Sequence, residues 1–496
     1  MSSRDTATPR DDAPPPPDAG RDRSRLQGMT PEEFRRHGHA LVDWVADLVA
    51  GVEQRPVTPD VAPGDLRALL PAHAPEQPEP FEDVVADLDR VVAPGLVHWQ
   101  HPGWFAYFPT GGSFPSILAD LVAAGTSQQG MLWSTSPITT ELELHVLDWL
   151  VDLLGLPEHW RSSGPGGGVV QASASDSTHT AMVVARQRAT REHGAPPSSQ
   201  VAYASTQAHS SIEKGARVAG FGHVRQVPVD AGFALRVDAL AAMMAEDRAA
   251  GLVPSFVCAA VGTTGTTAVD PVRAVARLAR EHGVWCHVDA AYAGAAMLLE
   301  GHRHHQDGIE LVDSYTWNPH KWFAVGFDCS VLHVADRQPL LDALSILPSY
   351  LRDDWTGDDA AVDLRDWQVP LGRRPRALKL WFVLRAYGAS GLRAMVAEHV
   401  ELARWLTDRV RAHPRLELVA PTTFALVTLR HVEGDDATRA LARAVNDSRS
   451  SYVTPATVRG PSTGDREVAT LRVSIGAAAT EPRHVAALWD LLSANA

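Results

Sequence analysis

The sequence predicts an α/β protein: a mainly parallel central sheet with helices on both faces, followed by a small α/β C-terminal domain. Three observations carry this. The runs Val201–Ser205, Phe256–Val261, Val284–Val288 and Ser330–Val334 are short and almost wholly apolar, as strands buried on both faces must be. Between two of them, Asp270-Pro271 opens a helical segment with Val272, Val275 and Leu278 on one side and a stop at His282-Gly283, which makes one strand-helix-strand unit. A chain of 496 residues, 45% apolar and 21% charged, is long enough for two or three packed units.

Along the chain, residues 1–28 carry Pro14 to Pro17 and alternating Arg and Asp without the apolar stretch of a secretory leader, and read as a disordered tail. Residues 29–113 form an N-terminal helical segment. It opens with the capping box Thr30-Pro31-Glu32-Glu33, and Phe34, Leu41, Val42, Val45, Leu48 and Val49 follow at helical spacing. Pro71 to Pro80 reads as a connector. Residues 114–378 hold the large domain. In residues 379–496 a long helical stretch leads to strands at Phe424–Leu429 and Leu471–Ile475, with a helix near Ala437–Val445 between them.

The formal charge of −14 and a pI near 5.8, with no basic patch, argue against nucleic acid or an anionic membrane as partner and favour small-molecule chemistry. No apolar run reaches membrane-spanning length. Cys258, Cys286 and Cys329 lack CxxC spacing, which suits a reducing cytoplasm. His302, His304 and His305 have no partnering ligand at set spacing, so an exposed loop is expected rather than a metal site. Alanine-, arginine- and proline-rich usage hints at a high-GC bacterium.

The chemistry concentrates in Asn318-Pro319-His320-Lys321-Trp322, read with His287-Val288-Asp289-Ala290-Ala291-Tyr292-Ala293-Gly294. A lysine among Trp317, Pro319, Trp322 and Phe323 is desolvated toward the neutral amine that condenses with an aldehyde cofactor. A carboxylate ending a buried strand, as Asp289 does, needs a cationic partner, and a protonated ring nitrogen would serve. The 32 residues from Asp289 to Lys321 leave room for one helix and one strand. Asp270, by contrast, is explained by helix capping. Gly164-Pro165-Gly166-Gly167-Gly168 reads as a flexible entry to Ser173-Ala174-Ser175, small residues opening a helix whose free N–H groups suit a phosphate. The segment from Leu347 to Asp359, with Tyr350 in it, is polar and looks like a mobile lid that would exclude water.

Taken jointly, these motifs resemble the group II pyridoxal phosphate (PLP)-dependent amino-acid decarboxylases, specifically the aromatic L-amino-acid decarboxylases, from about Met29 to the C-terminus. The resemblance implies PLP fold type I, aspartate aminotransferase-like, and a homodimer with shared active sites in which the N-terminal segment packs across the neighbouring subunit. It implies that Lys321 carries the cofactor and Asp289 holds its ring nitrogen. Ser173, Ala174, Ser175 and Asn318 would bind the phosphate. His209 would stack on the ring and handle protons, with Thr264 and His320 close by. Tyr350 would reprotonate the substrate Cα, a role in which tyrosine favours a simple amine product; relatives with phenylalanine there tend to become aldehyde synthases. That oxidative reaction, which consumes oxygen and releases ammonia, is the alternative. A glutamate-type decarboxylase would need cationic groups instead of an aromatic wall, and a silent relative that only binds partners would have lost Lys321 or Asp289.

For the substrate, the resemblance assigns Trp99, Tyr107, Phe108, Pro109 and Thr110 to an aromatic side-chain pocket. Gly372 occupies a position where glycine accompanies indole or broad substrates, which points to tryptophan. Gln129 and Met131 depart from the family pattern, replacing an aliphatic and an aromatic residue that relatives contribute from the partner subunit.

Overall fold

The computed structural model describes residues 28–346 and 361–496. Its Cα packing forms two compact units. The first takes in the described residues up to Gly51 together with Val61–Gly95, and the second Val52–Asp60 with the described residues from Leu96 to Ala496. In the first, the helix Pro31–Ala50 starts from the expected capping box: the Thr30 hydroxyl accepts the Glu33 N–H while the Glu33 carboxylate accepts the Thr30 N–H. Its apolar face is only partly covered within that unit, with Phe34 56% and Val42 46% exposed.

Among the described residues the second unit holds twelve strands: β1 (Trp104–Phe105), β2 (Gly167–Gln171), β3 (Gln200–Ser205), β4 (His223–Val227), β5 (Val253–Ala260), β6 (Trp285–Asp289), β7 (Ser314–Trp317), β8 (Ser330–Val334), β9 (Leu416–Leu418), β10 (Leu426–His431), β11 (Tyr452–Val458) and β12 (Val468–Ser474). Seven form the large sheet in the order β2-β8-β7-β6-β5-β3-β4. All its neighbouring pairs are parallel except those made by β8, which runs antiparallel to both β7 and β2. Alternate residues of β5 show why its sequence is apolar throughout. Phe256 and Cys258 enter a core with Ala181, Ile212 and Trp285, whereas Val257 and Ala259 enter a second core with Val275, Val288 and Tyr315. Helices cover both faces.

Three local expectations are corrected. The glycines before Ser173 are not a flexible entry: Gly167 and Gly168 begin β2, and a Cβ would lie 2.6 Å from the Trp367 ring at Gly167 and 2.8 Å from His333 at Gly168. Close packing selects them. Asp270 does not cap the helix Val272–Glu281. Its two carboxylate oxygens accept the backbone N–H groups of Leu235 and Ala260, each at 2.8 Å, so the side chain ties two loops to the end of β5. Between Asp289 and β7 the chain forms 3-10 segments at Ala293–Leu298, Glu300–Gln306 and Ile309–Leu311 rather than an α-helix.

The helix Ala377–Ala412 breaks at Gly388 and packs on the helices Phe114–Thr126 and Pro137–Leu154 as well as on β9 and β10. The five-stranded sheet, β1-β11-β12-β10-β9, includes a strand that the sequence reading had not placed: β1, from the N-terminal part of the chain, pairs in parallel with β11.

Candidate active site

A cavity of about 190 Å3 opens where the large sheet ends. Its walls come from the segments following the carboxyl ends of five strands: Ser173, Ala174 and Ser175 after β2, His209 and Ser211 after β3, Gly262, Thr263 and Thr264 after β5, Asp289 and Tyr292 from β6 onward, and Asn318 and Lys321 after β7. Crossover connections leave such a crevice at the carboxyl edge of parallel strands. Residues 145 positions apart in sequence, Ser173 and Asn318, thus line one space.

Each wall has a local cause. The Ser173 hydroxyl accepts the Asp176 N–H and caps the helix Ala174–His193, which aims that helix's N-terminus at the cavity. His209 caps the helix Ser210–Ala219 in the same way, its Nδ1 accepting the Ser211 N–H at 3.2 Å. Gly262 has φ +86, and a Cβ there would meet that of Ala293 at 2.8 Å, so the turn carrying Thr263 and Thr264 requires glycine. At the end of β6 the Asp289 carboxylate accepts the Ala291 N–H at 2.9 Å.

Lys321 lies in the short turn Pro319–Trp322, its amine 5.0 Å from the centre of the Phe108 ring. Burial holds that amine below the usual lysine range; Asp289 opposes this shift and Arg472 reinforces it. Burial also lowers the His209 pKa, with Asp289 pulling up and Lys321 down. Beneath the amine runs an aromatic column. Phe108 stacks on Tyr292 with centroids 4.1 Å apart, and Tyr292 on Trp322 at 4.9 Å.

These residues fit a PLP group. Asn318 is buried and lines the cavity, where its side-chain NH2 can donate to a phosphate oxygen, and the small residues of a helix start line the same space. An amine held toward its neutral form and a strand-end carboxylate line the same cavity. Among the described residues no cluster of His, Cys, Asp and Glu could hold a metal.

The other expected residues fall elsewhere. His320 turns away: its Nδ1 accepts the Cys329 N–H at 2.9 Å, and burial lowers its pKa to about 3. Of the expected aromatic wall only Phe108 lines the cavity. Trp99 and Tyr107 stack on each other at 5.6 Å and are 37% and 51% exposed, and Pro109 packs against Gly476 while Thr110 is half-buried. Gln129 and Gly372 adjoin, a Cβ at Gly372 lying 3.7 Å from the Gln129 Oε1, yet neither they nor half-buried Met131 line the cavity within one chain. Tyr350 lies outside the described residues. Sequence reasoning missed Ser211, Thr263 and Tyr292, although each stands within or next to a motif it had singled out.

Residues 63–432 match the pyridoxal-dependent decarboxylase conserved domain. The chain is 41% identical to the aromatic-L-amino-acid decarboxylase of Cavia porcellus over 473 residues, 93% of this chain and 97% of that one. It is 40% identical to the phenylacetaldehyde synthase of Arabidopsis thaliana over 483 residues, 95% and 97%. A crystal structure of Oryza sativa TDC with PLP and tryptamine superposes with a TM-score of 0.91 at 38% identity, covering 95% of this chain and 98% of that one. These relatives are a mammal and two plants, so the compositional hint of a bacterial source is not borne out.

Proposed function

Because the chain belongs to the pyridoxal-dependent decarboxylase family, we propose that it removes the carboxyl group of an aromatic L-amino acid as CO2 and releases the aromatic amine, with tryptophan preferred. The observation that carries this reading is the convergence of Lys321, Asp289, His209, Asn318 and Ser173 to Ser175 on one cavity. PLP, when bound, supplies an electron sink for the pair left behind as CO2 departs.

The chain's own residues do the rest. Ser173, Ala174 and Ser175, at a helix start, and the side-chain amide of Asn318 would hold the phosphate. Asp289 keeps the ring nitrogen protonated. The desolvated Lys321 amine would be the group that holds the cofactor covalently through its aldehyde carbon. His209, in the cavity wall, would help pass a proton, and Tyr350 would be the group that delivers it to the substrate Cα. Phe108, with Trp99 and Tyr107 near it, supplies an apolar wall for the substrate's ring.

The preference for tryptophan rests on Gly372 and on the likeness to a protein crystallised with tryptamine. A homodimer with shared active sites is supported by the exposed apolar residues Phe114, Leu118, Leu121 and Val122 on one helix and Ile138 on the next. Three buried free thiols suit the cytoplasm. The oxidative alternative gains from the 40% identity to an aldehyde synthase. Tyr350 and His209 favour the amine.

Mass-spectrometric product analysis in air tests the proposal, with L-tryptophan, L-tyrosine, L-DOPA, L-phenylalanine, L-histidine and L-glutamate supplied separately and Lys321→Ala as control. Amine without peroxide from an aromatic substrate, absent in the variant, is expected. Aldehyde with ammonia would move the protein to the synthase branch, and silence on all six or turnover by the variant would overturn the reading.

A further inference from the structure

One residue before the cavity wall, the chain makes a turn that only distant parts of the sequence explain. β1 pairs with β11 at Trp104↔Tyr452 and Phe105↔Val453, and then leaves the sheet. Tyr107 stands at φ +52, a left-handed conformation that a tyrosine adopts only when its surroundings enforce it. Both of its peptide groups are held. Its N–H donates to the Thr454 hydroxyl, and its carbonyl accepts from the Arg472 guanidinium at 3.2 Å. Thr454 and Arg472 are themselves register partners across β11 and β12, so their side chains leave the same face of the sheet side by side.

The next residue is Phe108. Its ring lies 5.0 Å from the Lys321 amine and 5.1 Å from the Arg472 guanidinium carbon, and it stacks on Tyr292, another cavity residue. Arg472 is 3% exposed and does not line the cavity itself. We propose that Thr454 and Arg472 are positioning residues, a two-point clamp on the Tyr107 peptide that sets the Phe108 ring as the apolar wall beside Lys321. The C-terminal sheet thereby fixes how a substrate's side chain is received. This inference rests on the decarboxylase reading for what the wall receives, but the clamp itself is a matter of geometry.

Thr454→Val keeps the side chain's shape and removes the acceptor, whereas Thr454→Ser keeps the acceptor. With an aromatic amino acid as substrate, the valine variant is expected to raise KM about tenfold while kcat stays within about twofold, because the wall contributes binding common to ground and transition states. The serine variant should restore KM. Arg472→Lys, which keeps a donor, should likewise stay closer to wild type than Arg472→Met. A second readout needs no turnover: the visible circular dichroism of the PLP-loaded protein, which senses the asymmetry of the site, should weaken in Thr454→Val and recover in Thr454→Ser. Wild-type KM and dichroism in both Thr454 variants would overturn the clamp while leaving the decarboxylase reading intact. Failure of the wild-type protein to make any amine would overturn that reading, and the dichroism would still decide the clamp.

Discussion

The indole N–H of Trp322 donates to Nδ1 of His399 at 2.9 Å, with both side chains buried. This bond ties the residue after Lys321 to the middle of the long helix, and it anchors the far end of the Phe108–Tyr292–Trp322 column. Replacing His399 by leucine leaves a buried N–H without an acceptor, at a cost of about 1–3 kcal/mol. We expect His399→Leu to lower the midpoint of urea unfolding and to lose PLP faster on gel filtration. His399→Gln, which offers a carbonyl oxygen, should recover part of both.

The same histidine belongs to a group that makes stability depend on pH. Burial lowers the pKa of His287, His333 and His399 to about 4, against an ordinary value of 6.5. As the pH falls from 6.5 toward 4 the unfolded chain takes up protons that these folded imidazoles refuse, so stability present above 6.5 is lost across that window. Asp270 works the other way. Its pKa is raised to about 7 by burial, despite two N–H donors, so its contribution weakens as the pH rises from 3.8 to 7. His305, at about 4, and His320, at about 3, add to the same side, so the lowered histidines outweigh Asp270 and calorimetry should find a lower melting temperature at pH 5 than at pH 7.5. An equal or higher value at pH 5 would contradict this balance.

How far the sequence alone reached depends on the range of the causes involved. The strand ending at Asp289 and the turn carrying Lys321 announce themselves because the residue types that bury a strand and desolvate an amine are contiguous there. The flexible-loop reading of Gly164 to Gly168 failed at Gly167 and Gly168 because what selects glycine there is the approach of Trp367 and His333, some 200 and 165 positions away. Asp270 satisfied a local capping rule, yet its carboxylate found donors at Leu235 and Ala260. His320 shares a motif with Lys321 but lies on the opposite side of a single helical turn, facing Cys329. The pairing of β1 with β11, about 350 residues apart, leaves no periodicity in either segment.

Asn318 offers a direct test of the phosphate end of the site. Its backbone N–H is already committed to the Ala291 carbonyl at 3.0 Å, which leaves the side-chain NH2 as the donor that can reach a ligand. A hydrogen bond to a charged oxygen contributes roughly 1.5–3 kcal/mol, so Asn318→Ala should weaken PLP binding on the order of 10- to 100-fold in a fluorescence titration. The effect should be much smaller with pyridoxal, which lacks the phosphate. Equal losses for the two ligands would show that Asn318 serves the ring or the fold instead.

Gly372 tests whether a second copy of the chain completes the substrate wall. A serine fits there without strain, since the nearest atom to a new Cβ is the Gln129 Oε1 at 3.7 Å and the position is exposed. Gly372→Ser should therefore leave the melting temperature almost unchanged. Within one chain neither residue touches the cavity at Lys321, so an effect on substrate choice has to arise where two copies meet. If they do meet there, the added hydroxyl narrows the space for an indole and offers a hydrogen bond to a phenol. The ratio of kcat/KM for tryptophan over DOPA should then fall by about 10-fold, the scale of a change of one small group in a pocket. An unchanged ratio, with a dimer confirmed by light scattering, would place the Gln129–Gly372 corner outside the substrate wall and return the preference for tryptophan to Phe108 and its neighbours.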